Sequence, residues 1–291
     1  MKLYAILPMI CLAVLIGCDL SSVDPGGGAT SPTSVTMRGA PPEISNAGTT
    51  GTGDGTDGGA TGIDLTVDPG TLVGQIAFDG SFEPLPPTQS VAAIKIALCA
   101  KNGDIPDESL IVNLVNNGIK NVFVYLSKRP DWLDEKSEWD PDVEQQFIDQ
   151  KFCLFKPHAL IARVGPFKMK NSDEVPHNVK SGFPSINFNP NLPPNSEGEV
   201  VFKRAEKQPY PCACAIHGWM SFYTLVVDHP YAAVTDENGN FSIPNLPAGT
   251  HTFRIWHERG GTLDRKFTVT VPSGGDTEPQ VRKFAGSKFK L

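Results

Sequence analysis

Four residues between positions 177 and 220 carry side chains that bind soft metal ions. His177 is followed by Cys214, and His217 and Met220 then come at intervals of three. One thiolate and two imidazoles in a trigonal plane, with a weakly bound axial thioether, form a donor set that selects copper. The spacing predicts that one histidine at a strand end and three ligands from one short loop converge on a single ion.

Short β-strands must position these ligands. Runs rich in β-branched and aromatic residues, such as 72–78, 91–98 and 121–126, are separated by Gly, Pro and Asn, and no long helical period appears. A further run at 222–227, directly after Met220, predicts a strand that closes a barrel. The patterning predicts an all-β chain of sandwiches or barrels.

The motifs around the four ligands resemble the cupredoxin family. A strand ending at Gly165, a second strand, Asn171 and Asp173, and the pair His177-Asn178 precede the Cys-x2-His-x2-Met loop, which is the order that cupredoxins share. The resemblance implies a cupredoxin Greek-key barrel over residues 151–228. It also implies one type 1 copper ion per chain.

The resemblance assigns a role to each residue of the motif. His177 is expected to be the buried imidazole ligand, Cys214 the thiolate, His217 the imidazole at the solvent edge and Met220 the axial thioether. Asn178 is expected to donate its backbone N–H to the cysteine sulfur and to tie the two ligand loops together with its side chain, which tunes the metal.

The N-terminus resembles a bacterial lipoprotein signal. An apolar run over residues 3–17 is too short to span a bilayer comfortably but suits an export signal. It ends at Cys18 in a lipobox-like sequence, which implies a signal peptide at 1–17, an acylated Cys18 and a membrane anchor facing the periplasm; a simple export signal is the alternative. Residues 18–70, rich in Gly, Ser and Thr, predict a disordered tether.

The expected roles of the remaining cysteines follow from the assignments of Cys18 and Cys214. With Cys18 acylated and Cys214 bound to metal, Cys99 and Cys153 are the pair expected to form a disulfide in an oxidising compartment. Cys212 lies two residues before Cys214, where the family places an aliphatic core residue, so it is expected to act as a small buried hydrophobe. A bond between Cys212 and Cys214 is the alternative, and it would remove the copper thiolate.

A second motif, at residues 235–249, resembles the carboxypeptidase regulatory-like (transthyretin-like) β-sandwich. The strand at 74–80 resembles the beginning of the same family. We therefore expect the barrel to be inserted between two halves of one sandwich, with strands and an acidic loop over 71–150 and the closing half over 229–291. The whole arrangement resembles bacterial exported proteins of the methylamine-utilisation-like type, a resemblance that implies no role in amine oxidation.

Charge narrows the range of partners. Residues 71–291 contain 25 acidic and 23 basic residues, so they offer no basic face for nucleic acid. Acidic residues concentrate at 129–150, where Asp134, Glu135 and Glu138, together with Trp219 beside the ligands, are candidate docking residues for a redox partner such as a cytochrome. A solvated loop is the alternative interpretation of this segment.

Two functions are compatible with these features. The first is a membrane-anchored blue copper protein that carries single electrons between envelope redox partners. The second is a non-redox lipoprotein that holds copper or binds a partner as a scaffold. The chain is not expected to be an enzyme, because it contains no zinc-type His-Glu-x2-His motif and no evident nucleophile–base arrangement.

Overall fold

The computed structural model describes residues 61–133 and 147–291, which fold as one unit made almost entirely of β-strands. Helical structure in these ranges is limited to α1 (Ala97–Ala100) and two 3-10 turns, Val91–Ala93 and Gly286–Phe289. None of these helices is long and apolar enough to cross a membrane. The predicted all-β class is confirmed.

The strands are β1 (Thr61–Asp64), β2 (Gly70–Asp79), β3 (Phe123–Leu126), β4 (Phe147–Lys151), β5 (Leu154–Lys156), β6 (Ala159–Arg163), β7 (Gly165–Asn171), β8 (His177–Asn178), β9 (Lys180–Ser181), β10 (Asn191–Leu192), β11 (Ser196–Phe202), β12 (Tyr210–Ala213), β13 (Ser221–Val227), β14 (Ala232–Val234), β15 (Asn240–Leu246), β16 (Ala248–His257), β17 (Gly261–Val271) and β18 (Gln280–Ala285).

Two sheets form a sandwich from both ends of the described chain. Sheet I has the strand order β15-β2-β18, and sheet II contains β1, β16, β3, β14 and β17. Their facing side chains, including Ile76, Phe241 and Phe253, make one buried apolar core. Strand β2 pairs antiparallel with β15, with Gly74 opposite Phe241. A strand from the N-terminal part of the described chain therefore pairs with a strand that follows the candidate ligands in sequence.

Two further sheets surround the predicted ligands. Sheet III has the order β6-β13-β12-β9, and sheet IV has the order β11-β7-β4-β5. The short strands β8 and β10 pair only with each other. A second apolar core, which includes Phe155, Phe167 and Phe222, contains side chains from sheets III and IV. The segment from Cys214 to Met220 joins β12 to β13 of sheet III, and His177 lies on β8.

A third core joins sheet II to sheet III. Strand β3 points Phe123 and Tyr125 toward this core, while Val124 and Leu126 face the sandwich core. Because side chains alternate along a strand, a strand buried on both faces is a continuous apolar run, as residues 122–126 are. Sheet III is thus packed against the sandwich through side chains of β3.

The predicted tether over 18–70 extends too far toward the C-terminus. Residues Thr61–Asp64 form β1, which pairs antiparallel with β16, and β2 already begins at Gly70. Composition alone indicated a linker, but β16 offers an edge with which these residues form backbone hydrogen bonds. Residues 1–60, which include the predicted signal peptide and Cys18, lie outside the described ranges.

Substitution of Gly118 by alanine is expected to destabilise the sandwich by about 1–3 kcal/mol. A Cβ at this position would lie 1.9 Å from the carbonyl oxygen of Asn238. Because this oxygen belongs to the backbone, movement of a side chain cannot relieve the steric overlap. Urea unfolding of Gly118→Ala measures the loss. The matched control is Gly275→Ala, whose Cβ would meet only ordinary contact with Pro272 at 3.8 Å. Equal stability of the two variants would contradict the prediction.

Candidate metal centre

Three of the predicted ligands meet in the structure. The Sγ atom of Cys214 lies 3.9 Å from Nδ1 of His177 and 3.8 Å from Nδ1 of His217, and the two Nδ1 atoms are 2.9 Å apart. The centre of this triangle is about 2.1 Å from each atom, close to the ~2.0–2.3 Å of metal–nitrogen and metal–sulfur bonds. All three side chains are buried. The donor set and its spacing therefore fit one soft or borderline metal ion.

The ligands come from two places in the fold, as the spacing predicts. His177 lies on β8, whereas Cys214 directly follows β12 and Met220 directly precedes β13. The backbone N–H of Cys214 donates to the carbonyl of Met220 at 3.0 Å, and the N–H of Met220 donates to the carbonyl of His217 at 2.9 Å. These bonds close a tight loop. Met220 is fully buried in the same apolar cluster as Cys214.

Asn178 ties the two ligand loops together. Its Oδ1 accepts a hydrogen bond from the backbone N–H of Ala215 at 2.7 Å, and its Nδ2 donates to Oδ1 of Asn189 at 2.5 Å. Its backbone also makes a hydrogen bond to Cys214. These contacts join the strand that carries His177 to the loop that carries Cys214.

Asp173 is a functional residue that the sequence analysis noted only as part of a motif. Nε2 of His177 lies 2.8 Å from Oδ2 of Asp173, so a ring N–H donated to this carboxylate leaves Nδ1 free for a metal. The backbone N–H groups of Phe152 and Cys153 also donate to Asp173, at 2.6 and 2.8 Å. Burial raises the pKa of Asp173, but the hydrogen bonds from His177, Cys153 and Phe152 outweigh it and hold this pKa below its usual value. The carboxylate is therefore ionised at neutral pH.

The two free thiols of the described ranges, Cys212 and Cys214, differ in ionisation. Burial raises the pKa of Cys214, but hydrogen bonds with His177 and His217 outweigh this effect and bring it to about 5. Burial raises the pKa of Cys212 to about 12. Because the thiolate is the form that binds metals, Cys214 is suited to be a ligand. Cys212 is a buried neutral thiol in the apolar core, as expected for a small hydrophobe.

Trp219 covers the second histidine. The His217 and Trp219 rings have centroids 5.3 Å apart, and the indole N–H of Trp219 donates to the carbonyl of Cys153 at 3.1 Å. His217 is only 2% exposed, so the expectation of an imidazole at the solvent edge is wrong: the indole ring packs against it. Its Nε2 is buried and has no hydrogen-bond partner among the residues that the structure describes.

The predicted disulfide is confirmed. Cys99 on α1 is bonded to Cys153, with Cα atoms 5.2 Å apart, and Cys212 and Cys214 are both free. Both sulfur atoms of the disulfide lie within 4.8 Å of a ring nitrogen of His217. The bond is therefore part of the immediate surroundings of the ligand set, a placement that the sequence did not reveal.

One of the four predicted docking residues, Trp219, belongs to the described ranges. Trp219 is half-buried beside His217. Asp134, Glu135 and Glu138 belong to residues 134–146, which lie outside the described ranges.

Comparison with known proteins finds cupredoxins as structural neighbours, each as a partial match. No family model and no curated protein sequence matches this chain. A copper-containing nitrite reductase from Thermus scotoductus SA-01 is 18% identical with a TM-score of 0.27; the match covers 30% of this chain and 23% of the reductase. A mutant of amicyanin in its Cu(I) form is 19% identical with a TM-score of 0.26, covering 28% of this chain and 80% of amicyanin. A purple cupredoxin from Nitrosopumilus maritimus is 25% identical with a TM-score of 0.24, covering 28% of this chain and 98% of the cupredoxin.

Proposed function

We propose that this chain is a type 1 copper protein that carries single electrons between redox partners of the bacterial cell envelope. The observation that carries the proposal is the convergence of Cys214 Sγ with Nδ1 of His177 and of His217 in one buried cluster. One thiolate with two imidazoles is the donor set of electron-transfer copper sites. Copper bound there would supply one-electron exchange between its two oxidation states.

The contribution of the chain is to hold these ligands in one arrangement. Asp173 orients the ring of His177, and Asn178 joins the two ligand loops. Trp219 is half-buried and packs against His217, so its indole ring connects a ligand with the protein surface. Such fixed surroundings reduce the rearrangement that accompanies gain or loss of an electron.

The cellular setting is part of the same proposal. The lipobox-like sequence before Cys18 supports an acylated chain held at the membrane and facing the periplasm. Residues Asp134, Glu135 and Glu138 are proposed to attract a basic redox protein such as a cytochrome, by charge complementarity. No role as an enzyme is proposed.

Copper holding without electron transfer is the second candidate function. It is favoured by the 2% exposure of His217, since a ligand set closed to solvent offers a partner no direct approach to an imidazole. The two functions differ in one measurable property. A carrier exchanges electrons quickly with external donors, whereas a holding protein retains its copper without rapid exchange.

Addition of Cu(II) to the purified protein is expected to give one intense visible absorption band that saturates at one copper per chain. The thiolate of Cys214 is the source of the charge-transfer transition. Ascorbate should bleach the band, and a ferric cytochrome should restore it. A stable band that neither reagent changes would support copper holding, and the absence of any band would contradict copper binding at this site.

A further inference from the structure

The turn formed by Phe152 and Cys153 contacts the surroundings of both imidazole ligands. On the side of His177, the backbone N–H of Cys153 donates at 2.8 Å to the same carboxylate oxygen of Asp173 that lies 2.8 Å from the histidine Nε2. On the other side, the carbonyl of Cys153 accepts the indole N–H of Trp219, whose ring packs against His217. One residue therefore supports both ligands through its backbone.

The local sequence does not favour this turn. Phe152 and Cys153 link β4 to β5 in a two-residue hairpin, and both have positive φ, 58° and 56°. A two-residue hairpin turn with two positive φ values prefers sequences such as Asn-Gly, because bulkier side chains are disfavoured in this region. Phe152 is 41% exposed, so its side chain contributes little burial that would hold the turn in place. The conformation must be maintained by contacts from elsewhere in the fold.

The disulfide supplies such a contact. Cys153 is bonded to Cys99, which lies 54 residues earlier on α1, outside the four sheets. Both cysteines are buried, and their sulfur atoms lie within 4.8 Å of a His217 ring nitrogen. The bond joins α1 to the turn at the point where the turn meets the ligand set.

We propose that the Cys99–Cys153 disulfide is a positioning element of the metal centre, which holds the backbone of residue 153 where it orients both imidazole ligands. The inference rests on the proposed copper function where its test measures copper binding. The turn is inferred to position Asp173 and Trp219 whether or not a metal is bound. The N–H and carbonyl groups of Cys153 that make these hydrogen bonds belong to the backbone. Replacing both cysteines by alanine therefore keeps these groups and removes only the disulfide.

Three variants separate the disulfide from other effects. Cys99→Ala/Cys153→Ala removes the bond. Cys99→Ala/Phe152→Asn/Cys153→Gly also lacks the bond but replaces the turn with Asn-Gly, which adopts positive φ readily. Cys212→Ala is the matched control, because Cys212 is a buried thiol in the same apolar cluster and takes no part in the disulfide.

Copper affinity and the absorption spectrum are the first readout. The double variant is expected to bind Cu(II) at least about 10-fold more weakly and to shift the charge-transfer band, as loss of groups that orient metal ligands does. The Asn-Gly variant should recover most of the affinity, and Cys212→Ala should match the wild type. Equal affinity and spectrum in the double variant and the wild type would overturn the inference while leaving the copper function intact.

Nuclear magnetic resonance of the metal-free protein is the second readout. The indole N–H signal of Trp219, assigned with Trp219→Phe, and the ring nitrogens of His177 should shift in the double variant and return in the Asn-Gly variant. Unchanged signals would overturn the inference even if the wild type bound no copper. If the double variant unfolded, as seen by circular dichroism, the folded Asn-Gly variant would decide: wild-type signals support positioning of the turn, and altered signals contradict it.

Discussion

Replacement of Cys214 by serine is expected to abolish the visible charge-transfer band of the copper-loaded protein. The band requires a thiolate bound to copper, and a serine hydroxyl does not ionise at neutral pH. Among the described residues, Cys214 is the free cysteine whose Sγ lies within 4 Å of both ligand imidazoles. Its pKa of about 5 also makes it the ionised one. Absorption spectra of the two proteins at equal copper loading measure the effect.

Cys212→Ser is the matched control for this prediction. Cys212 lies two residues away, is equally buried and has a pKa raised by burial to about 12. Its replacement should lower stability, because a hydroxyl enters an apolar core, but should leave the band in place. A band that survived Cys214→Ser and disappeared in Cys212→Ser would show that the ligand assignment is wrong.

Acidification from pH 6.5 to pH 4 is expected to lower the free energy of unfolding by several kcal/mol. Burial lowers the pKa of His229 to about 4 and that of His257 to about 3, against about 6.5 in an unfolded chain. Between these values the unfolded state binds protons that the folded state does not, so stability falls as the pH falls. Each group contributes up to about 1.4 kcal/mol per pH unit, or about 3 kcal/mol over this range.

The surroundings of the two histidines explain why they remain neutral. Nε2 of His229 lies 3.1 Å from the carbonyl of Leu126, and its Nδ1 accepts the backbone N–H of Tyr231 at 3.2 Å, so no lone pair is free for another proton. Asp228 and Arg129 act on its pKa in opposite directions. His257 is disfavoured as a cation by burial and then by His158 and Arg259.

Burial also lowers the pKa of His251, which therefore acts in the same direction as His229 and His257. Two other groups act in a different direction or pH range. The pKa of His158 is raised: burial lowers it, but Glu258 and Glu108 outweigh this effect. Its contribution is therefore present at low pH and lost as the pH rises through its folded-state pKa, opposite to that of His229 and His257. The contribution of Asp173, whose pKa is lowered, is lost only below the usual carboxylate range.

Urea unfolding of the metal-free protein between pH 4 and pH 7 measures this dependence. In His257→Phe the slope of unfolding free energy against pH should decrease by about one proton, because phenylalanine does not titrate. The substituted ring has an apolar neighbour, since the rings of His257 and Phe289 are in edge contact at 5.2 Å. An unchanged slope in this variant would show that His257 is not a buried neutral group.

The candidate site was recognisable in part because its main features are local. The order of Cys214, His217 and Met220 within one short loop is a property of the sequence, and the loop bonds that close it join neighbours in the chain. The short runs of β-branched and aromatic residues, separated by Gly, Pro and Asn, likewise predicted an all-β fold, because the first residues favour strands and the second favour turns. These features depend on residues only a few positions apart.

Features that arise from contacts between residues far apart in the sequence were decided only by the tertiary structure. The burial of His217 results from the Trp219 ring, which is itself hydrogen-bonded to Cys153, 66 residues away. Residues Thr61–Asp64 form a strand only because β16 presents an edge to them. The same holds for the third core, in which Phe123 on β3 meets side chains of sheet III. Spacing along the chain determined which residues are candidate metal ligands, whereas packing between remote segments decided how those ligands are oriented and covered.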